Sequence, residues 1–112
     1  MDKYSAISDP NRRKIIELLA RRGPLTASDI SDEFRVSPSA ISQHLKVLRN
    51  VKLVRMEKRA QQRIYQINPD AMYELEEWPK QMIQLWIQRF DALDALLREE
   101  KKHISDSHKD KG

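Results

Sequence analysis

Apolar residues recur along this chain with the spacing of amphipathic helices, interrupted by a short stretch that alternates like a β-hairpin. The first strong helical pattern opens at Asp9-Pro10, where aspartate suits the cap and proline the first helical position. It runs from Asn11 to about Arg22, with Ile15, Ile16, Leu18 and Leu19 on one broad face, and Gly23-Pro24 supplies the stop. Residues 3 to 8, with Tyr4 and Ile7, suit a short preceding helix. Thr26-Ala27-Ser28-Asp29 reads as a capping box ahead of a helix to about Phe34, whose Ala27, Ile30 and Phe34 are spaced by three and four.

Arg35-Val36 is a tight connection, after which Ser37-Pro38 repeats the cap-plus-proline start and a helix runs to about Asn50. Two short helices joined by a turn of a few residues form a helix-turn-helix pattern. In the second of them Ile41, Leu45 and Leu48 make the inward stripe, and Ser39, Ser42, Gln43, Lys46 and Arg49 share the opposite face. Leu53–Met56 and Ile64–Ile67 read as two short strands, and their connection, Glu57-Lys58-Arg59-Ala60-Gln61-Gln62, is polar and basic. A hairpin with a basic tip directly after a helix-turn-helix is a wing.

Asn68-Pro69-Asp70 is a turn or helix start, followed by a short helical stretch to Glu77. Pro79 disfavours helix in the residue before it, so the pattern predicts a kink or two helices meeting near Trp78. From Pro79 to about Lys102 the pattern is strongly helical, with Met82, Leu85, Trp86, Phe90, Leu93, Leu96 and Leu97 at spacings of three and four. The fold class expected is mostly α with a small β-hairpin. It is a winged helix-turn-helix of four helices, two strands and a long C-terminal dimerisation helix, occupying residues 1–102 as one domain. Residues 103–112, polar and aperiodic, are expected to be a flexible tail.

Composition narrows the function. A chain of 112 residues has room for one ordinary core. It has no cysteine, which excludes disulfides, thiolate metal sites and thiol redox sensing. No apolar run approaches a membrane span and the N-terminus lacks the layout of a signal peptide, so a cytoplasmic location is expected. The net charge of +4 is unevenly spread: residues 35–63 hold eight bases against one acid, whereas residues 71–112 hold seven bases and nine acids. A localised basic stretch is the electrostatic footprint of a phosphate-backbone partner, and equally of a solvated face.

The acid-free outward face of the second helix separates these readings, because an ordinary surface helix carries Glu and Lys pairs. Ser37, Ser39, Ser42, Gln43 and Lys46 are therefore the expected contacts to base edges and groove in double-stranded DNA. Arg49, Lys58, Arg59, Gln61 and Arg63 are the expected contacts to backbone and flanking groove. The apolar stripe of the last helix exceeds what one core edge needs. A homodimer interface built from Tyr4, Ile7, Met82, Leu85, Trp86, Phe90, Leu93 and Leu97 is expected, the alternative being that the stripe folds back on its own chain.

These residues resemble the ArsR/SmtB family of winged helix-turn-helix repressors. The resemblance is carried by residues 6–19, AISDPNRRKIIELL; by residues 37–49, SPSAISQHLKVLR; by Leu53-Val54-Arg55; and by Arg63-Ile64-Tyr65-Gln66-Ile67. It covers residues 4 to 70 and implies a dimeric repressor that packs its first and last helices across a two-fold axis. The helix from Ser37 would enter the major groove and the hairpin would contact flanking DNA. His44 matches a position usually held by histidine in the family. Its place beside the inward stripe favours a packed, hydrogen-bonded histidine over a phosphate contact. The chain departs from metal-sensing members, because Ser28-Asp29-Ile30-Ser31-Asp32 stands where their Cys-x-Cys motif lies. Asp91, Asp94, Glu99 and His103 on the last helix lack the family's second histidine spacing, and His44, His103 and His108 are scattered, so neither metal nor cofactor is expected. Ala60 replaces a glycine common in the wing.

A winged-helix protein-interaction module using the C-terminal apolar helix is the competing reading, and the acid-free face argues against it. An enzyme is the weakest, because no phosphate loop, metal motif or nucleophile-base pair is visible. A small-molecule or protein effector is left open. Trp78 and Trp86 suit core or interface better than the lining of a ligand pocket.

Overall fold

The computed structural model describes the backbone of residues 1–110 and the side chains of residues 1–101. The elements run α1 (Lys3–Ser8), α2 (Pro10–Arg22), β1 (Leu25–Thr26), α3 (Ala27–Asp32), α4 (Pro38–Asn50), β2 (Val54–Arg59), β3 (Gln62–Ile67) and α5 (Pro69–Asp110). This is a mostly helical fold with a small antiparallel sheet and a long last helix. Residues 1–75 form one compact unit, and the chain from Glu76 onward forms a second.

The helix starts are those the caps dictate. Asp9 Oδ2 accepts the Arg12 N–H at 3.0 Å, Thr26 Oγ1 accepts the Asp29 N–H at 3.1 Å, and Ser37 Oγ accepts the Ala40 N–H at 3.1 Å. Each satisfies an N–H group that a helix leaves without an internal partner. The six-residue α1 is too short to stand alone, and its last carbonyls are supplied from the next helix. Arg12 Nε donates to the Ala6 carbonyl at 2.6 Å, and Arg13 Nε donates to that of Ile7 at 3.0 Å. Two of the bases on α2 are therefore spent on joining α1 to α2.

Helix α4 closes in a Schellman motif. Lys52 N–H donates to the Arg49 carbonyl at 2.9 Å and Leu53 N–H to that of Leu48 at 3.0 Å, while Lys52 takes φ +66°. Leu48 and Leu53 are both fully buried, the apolar contact that accompanies this motif. Asn68 locks the turn from outside, its Nδ2 donating to the Lys52 carbonyl at 2.8 Å and its backbone N–H to that of Leu53 at 3.0 Å.

The sheet has three strands rather than the hairpin expected. Leu25 and Thr26 pair with Tyr65 and Ile64, giving the order β1-β3-β2. Two residues after a Gly-Pro stop, the second of them a helix cap, carry no periodicity, so β1 exists only because β3 offers its free edge. The wing strands also reach further than the apolar alternation, to Arg59 and from Gln62. The core lies under the sheet and between α2, α3 and α4, with Ile15, Ile30, Ile41, Leu45, Leu48 and Leu53 fully buried. Among the described residues no polar side chain is buried in it.

Pro79 does not divide the last helix: α5 runs through it as one helix, in place of two helices meeting near Trp78. The helix also continues to Asp110, beyond the end expected near Lys102, and the side chains of the tail assigned to 103–112 lie outside the described residues. No helix among the described residues is long and apolar enough to cross a membrane.

The caps set how stability responds to pH and to substitution. The Arg12 N–H hydrogen bond, aided by the charges of His44 and Arg12 and opposed by burial, holds the Asp9 carboxyl below the ordinary aspartate value of 3.8. Asp2 is lowered chiefly by its bonds from Ser5, and Glu74 chiefly by its bond from Lys3. Carboxyls depressed in the folded state stabilise it fully above their unfolded values and lose that contribution as pH falls through the folded ones. Urea unfolding between pH 6 and 2, to order of magnitude, should show stability falling from about pH 4 downward, less steeply in Asp9→Asn, which keeps the cap and loses the charge. Lys52→Gly, which removes the left-handed strain, should raise unfolding free energy by about 0.5–1 kcal/mol after the entropy glycine adds to the unfolded chain.

Candidate nucleic-acid interface

Burial of one face of α4 determines what the other face presents. Ile41, Leu45 and Leu48 are sealed in the core, so Ser39, Ser42, Gln43, Lys46 and Arg49, about a quarter- to a half-turn away at 3.6 residues per turn, are all exposed. Ser37 is exposed at the head of the helix, its hydroxyl engaged as the cap. The result is a continuous hydroxyl, amide and cationic strip without a carboxylate.

His44 lies off that strip. Its side chain is mostly covered, and Nδ1 stands 3.9 Å from Asp9 Oδ2, the carboxylate that caps α2. The residue is packed as expected, but among the described residues the hydrogen bond expected with that packing is not formed, and the approach to Asp9, the N-cap of α2, stands in its place.

The wing adds a second set of cations. Lys58 and Arg63 are direct cross-strand partners in the β2–β3 ladder, on the same face as the inward pairs Met56–Tyr65 and Val54–Ile67 but beyond the edge of the core. Like charges placed opposite each other destabilise a hairpin, and neither member of this pair forms an ion pair with a carboxylate among the described residues. Arg59 points to the other face, with Glu57 Oε2 3.5 Å from its Nη2. The turn itself is only Ala60-Gln61, shorter than the six-residue connection expected, and Ala60 takes φ +54°. Positive φ at the first turn residue and not the second is the sign pattern of a type II′ turn, whose first position favours glycine.

Wing and helix meet at a cleft of about 310 Å³ lined by Ser28, Ser31, Asp32, Ser42, Arg63 and Tyr65, among others. It brings Ser42 of α4 beside Arg63 of β3, and a neighbouring recess adds Gln61 beside Arg63. Ser28 and Ser31, spaced by three on the first helix of the motif, are the cleft residues that sequence reasoning passed over. Their repeat of small hydroxyls on one face is the signal that marks them.

The residues expected to form a subunit interface divide differently. Ile7 packs against the core, and Tyr4 donates its hydroxyl to the Leu75 carbonyl at 2.8 Å. In the second unit Leu85, Trp86, Phe90, Leu93 and Leu97 are each more than half exposed, and Met82 is 37% exposed. Among the described residues no cluster of three or more His, Asp or Glu side chains is placed to hold a metal ion; His103 and His108 lie outside the described side chains.

A recognition-type helix with an exposed, acid-free strip beside a cationic wing defines a winged-helix DNA-binding regulator. Residues 9–55 match the family described as bacterial regulatory protein, arsR family. Transcriptional repressor SdpR of Bacillus subtilis (strain 168) is 36% identical over 75 residues, covering 67% of this chain and 82% of that protein. The arsenical resistance operon repressor of the same organism is 31% identical over 70 residues, 62% of this chain and 67% of that one. Among solved structures, an ArsR-like transcriptional regulator from Rhodococcus sp. RHA1 superposes with a TM-score of 0.73 at 25% identity, covering 83% of this chain and 87% of that one. The chain belongs to the ArsR family of bacterial regulatory proteins, DNA-binding transcriptional regulators and not enzymes.

Ala60→Gly should raise the thermal midpoint, by an amount matching about 0.5–1 kcal/mol, because the turn's left-handed residue is then unstrained. A lower midpoint in calorimetry would show that the methyl group at residue 60 contributes packing that outweighs the strain.

Proposed function

We propose that this protein is a transcriptional repressor that binds a two-fold-related promoter site as a homodimer. The observation that carries the DNA half of this reading is the exposed strip of α4, hydroxyl, amide and cation without acid, set beside the opposed Lys58–Arg63 pair. Ser39, Ser42, Gln43 and Lys46 read the major groove, with Ser37 at the helix end that approaches it. Gln43 is the residue assigned to a base edge, since an amide offers a donor and an acceptor together. Arg49, Lys58, Arg59, Gln61 and Arg63 hold phosphates and the flanking groove, where charge fixes register without reading sequence.

The homodimer half is supported by the exposed apolar side chains of α5. At 3.6 residues per turn, Met82, Ile83, Leu85, Trp86, Ile87, Phe90, Leu93, Leu96 and Leu97 sweep about 200° of the helix surface. Burying each large apolar side chain is worth roughly 1.5–3 kcal/mol, and a closed two-fold pair covers such a surface on both copies at once. Two copies related in this way place two α4 helices on half-sites about 10 base pairs apart, or a multiple of that.

Selection from a random duplex pool, followed by fluorescence anisotropy at several salt concentrations and the mass in solution, tests both halves. The expected result is a palindrome bound by a dimer with a steep salt slope. Failure to enrich any sequence, with weak binding at low salt, would sink the regulator reading of this surface and turn attention to a protein partner for α5. Gln43→Ala should relax preference at one base position, at a cost of about 1–3 kcal/mol on the preferred sequence, whereas Lys58→Ala should weaken all sequences alike and reduce the salt slope by about one.

A further inference from the structure

Helix α5 contains a backbone defect that its own residues cannot repair. Pro79 has no N–H, so the carbonyl of Leu75, four residues earlier, is denied its helical donor. The helix nevertheless runs through this point. The Tyr4 hydroxyl on α1 donates to the Leu75 carbonyl at 2.8 Å. Nearby, Lys3 Nζ lies 2.9 Å from Glu74 Oε2, and Asp2 caps α1 by accepting the Ser5 N–H at 2.7 Å, so the turn carrying Tyr4 is fixed at both of its neighbours. A phenol fits this position because its ring is rigid and its hydroxyl supplies the donor, whereas phenylalanine has the same ring without one.

We infer that Tyr4 is the surrogate donor for the helical hydrogen bond that Pro79 cannot make, so that Tyr4 and Pro79 form a coupled pair. Tyr4 is then a positioning residue, holding α1 on the first turns of α5. Its consequence for regulation rests on the reading of α5 as the dimer helix: the bond lies inside the compact unit of residues 1–75, on the turn of α5 from which that helix continues. With an N–H restored at position 79 the helix completes its own ladder and the hydroxyl becomes redundant.

Hydrogen–deuterium exchange on peptides from α1 and from residues 69–78 tests this in four full-length chains: wild type, Tyr4→Phe, Pro79→Ala and the double variant. Tyr4→Phe should speed exchange in both segments by about two- to tenfold, the range of one hydrogen bond's net worth. In the Pro79→Ala background the same change should move exchange by less than twofold. Equal acceleration in both backgrounds, or none in either, overturns the pairing. The mass in solution, measured alongside, keeps the two readings apart. A monomeric wild type would overturn the dimer, while the exchange cycle would still decide the pairing. In a dimeric wild type, Tyr4→Phe should dissociate at higher protein concentration and the double variant should recover.

Discussion

The rest of the structure depends on how α4 is buried. Ile41, Leu45 and Leu48 insert between Ile15, Ile30 and Leu53, and none of these side chains retains appreciable exposure. A close-packed interior admits only one rotation of such a helix, since turning it by one residue would bring Ser42, Lys46 and Arg49 into the places of Ile41, Leu45 and Leu48. The outward strip is therefore held by packing, and any surface it meets is met by the same five side chains. Preorganisation of this kind keeps the entropy of ordering the contacts out of the binding step.

Around that helix the fold is assembled from elements too short to be stable alone, and their ends are where the specificity of the fold lies. Side-chain caps at Asp9, Thr26 and Ser37 start three helices, while Arg12 and Arg13 finish α1 from a neighbouring element. The same logic runs through Leu75, whose carbonyl is served by a side chain from α1. In each case a backbone group that secondary structure leaves unpaired is satisfied by a residue whose position the core has already fixed.

Charge is distributed against local stability in the wing. Lys58 opposite Arg63, on a hairpin whose turn holds Ala60 at positive φ, is a poor choice for an isolated hairpin. A polyanion placed against that face would turn the repulsion into attraction, and it would meet Ser42 of α4 across the same cleft. Local cost concentrated at one surface is a usual mark of function.

The sequence by itself determined the helices that begin with a side-chain cap and carry a stripe of period 3.6, because both signals are local: α2, α3 and α4 start where Asp9, Thr26 and Ser37 place them. It also determined the strip on α4, since helical periodicity converts spacing directly into faces. What only the tertiary structure decided were the features that need a partner distant in sequence. β1 is a strand because β3 lies beside it, Lys58 opposes Arg63 because a two-residue turn sets the register, and Arg12 and Arg13 are caps because α1 ends within their reach. The continuity of α5 through Pro79 belongs with these: proline's local chemistry argues for a break, and the hydroxyl of a residue more than seventy positions away meets the carbonyl that the proline leaves without a helical donor.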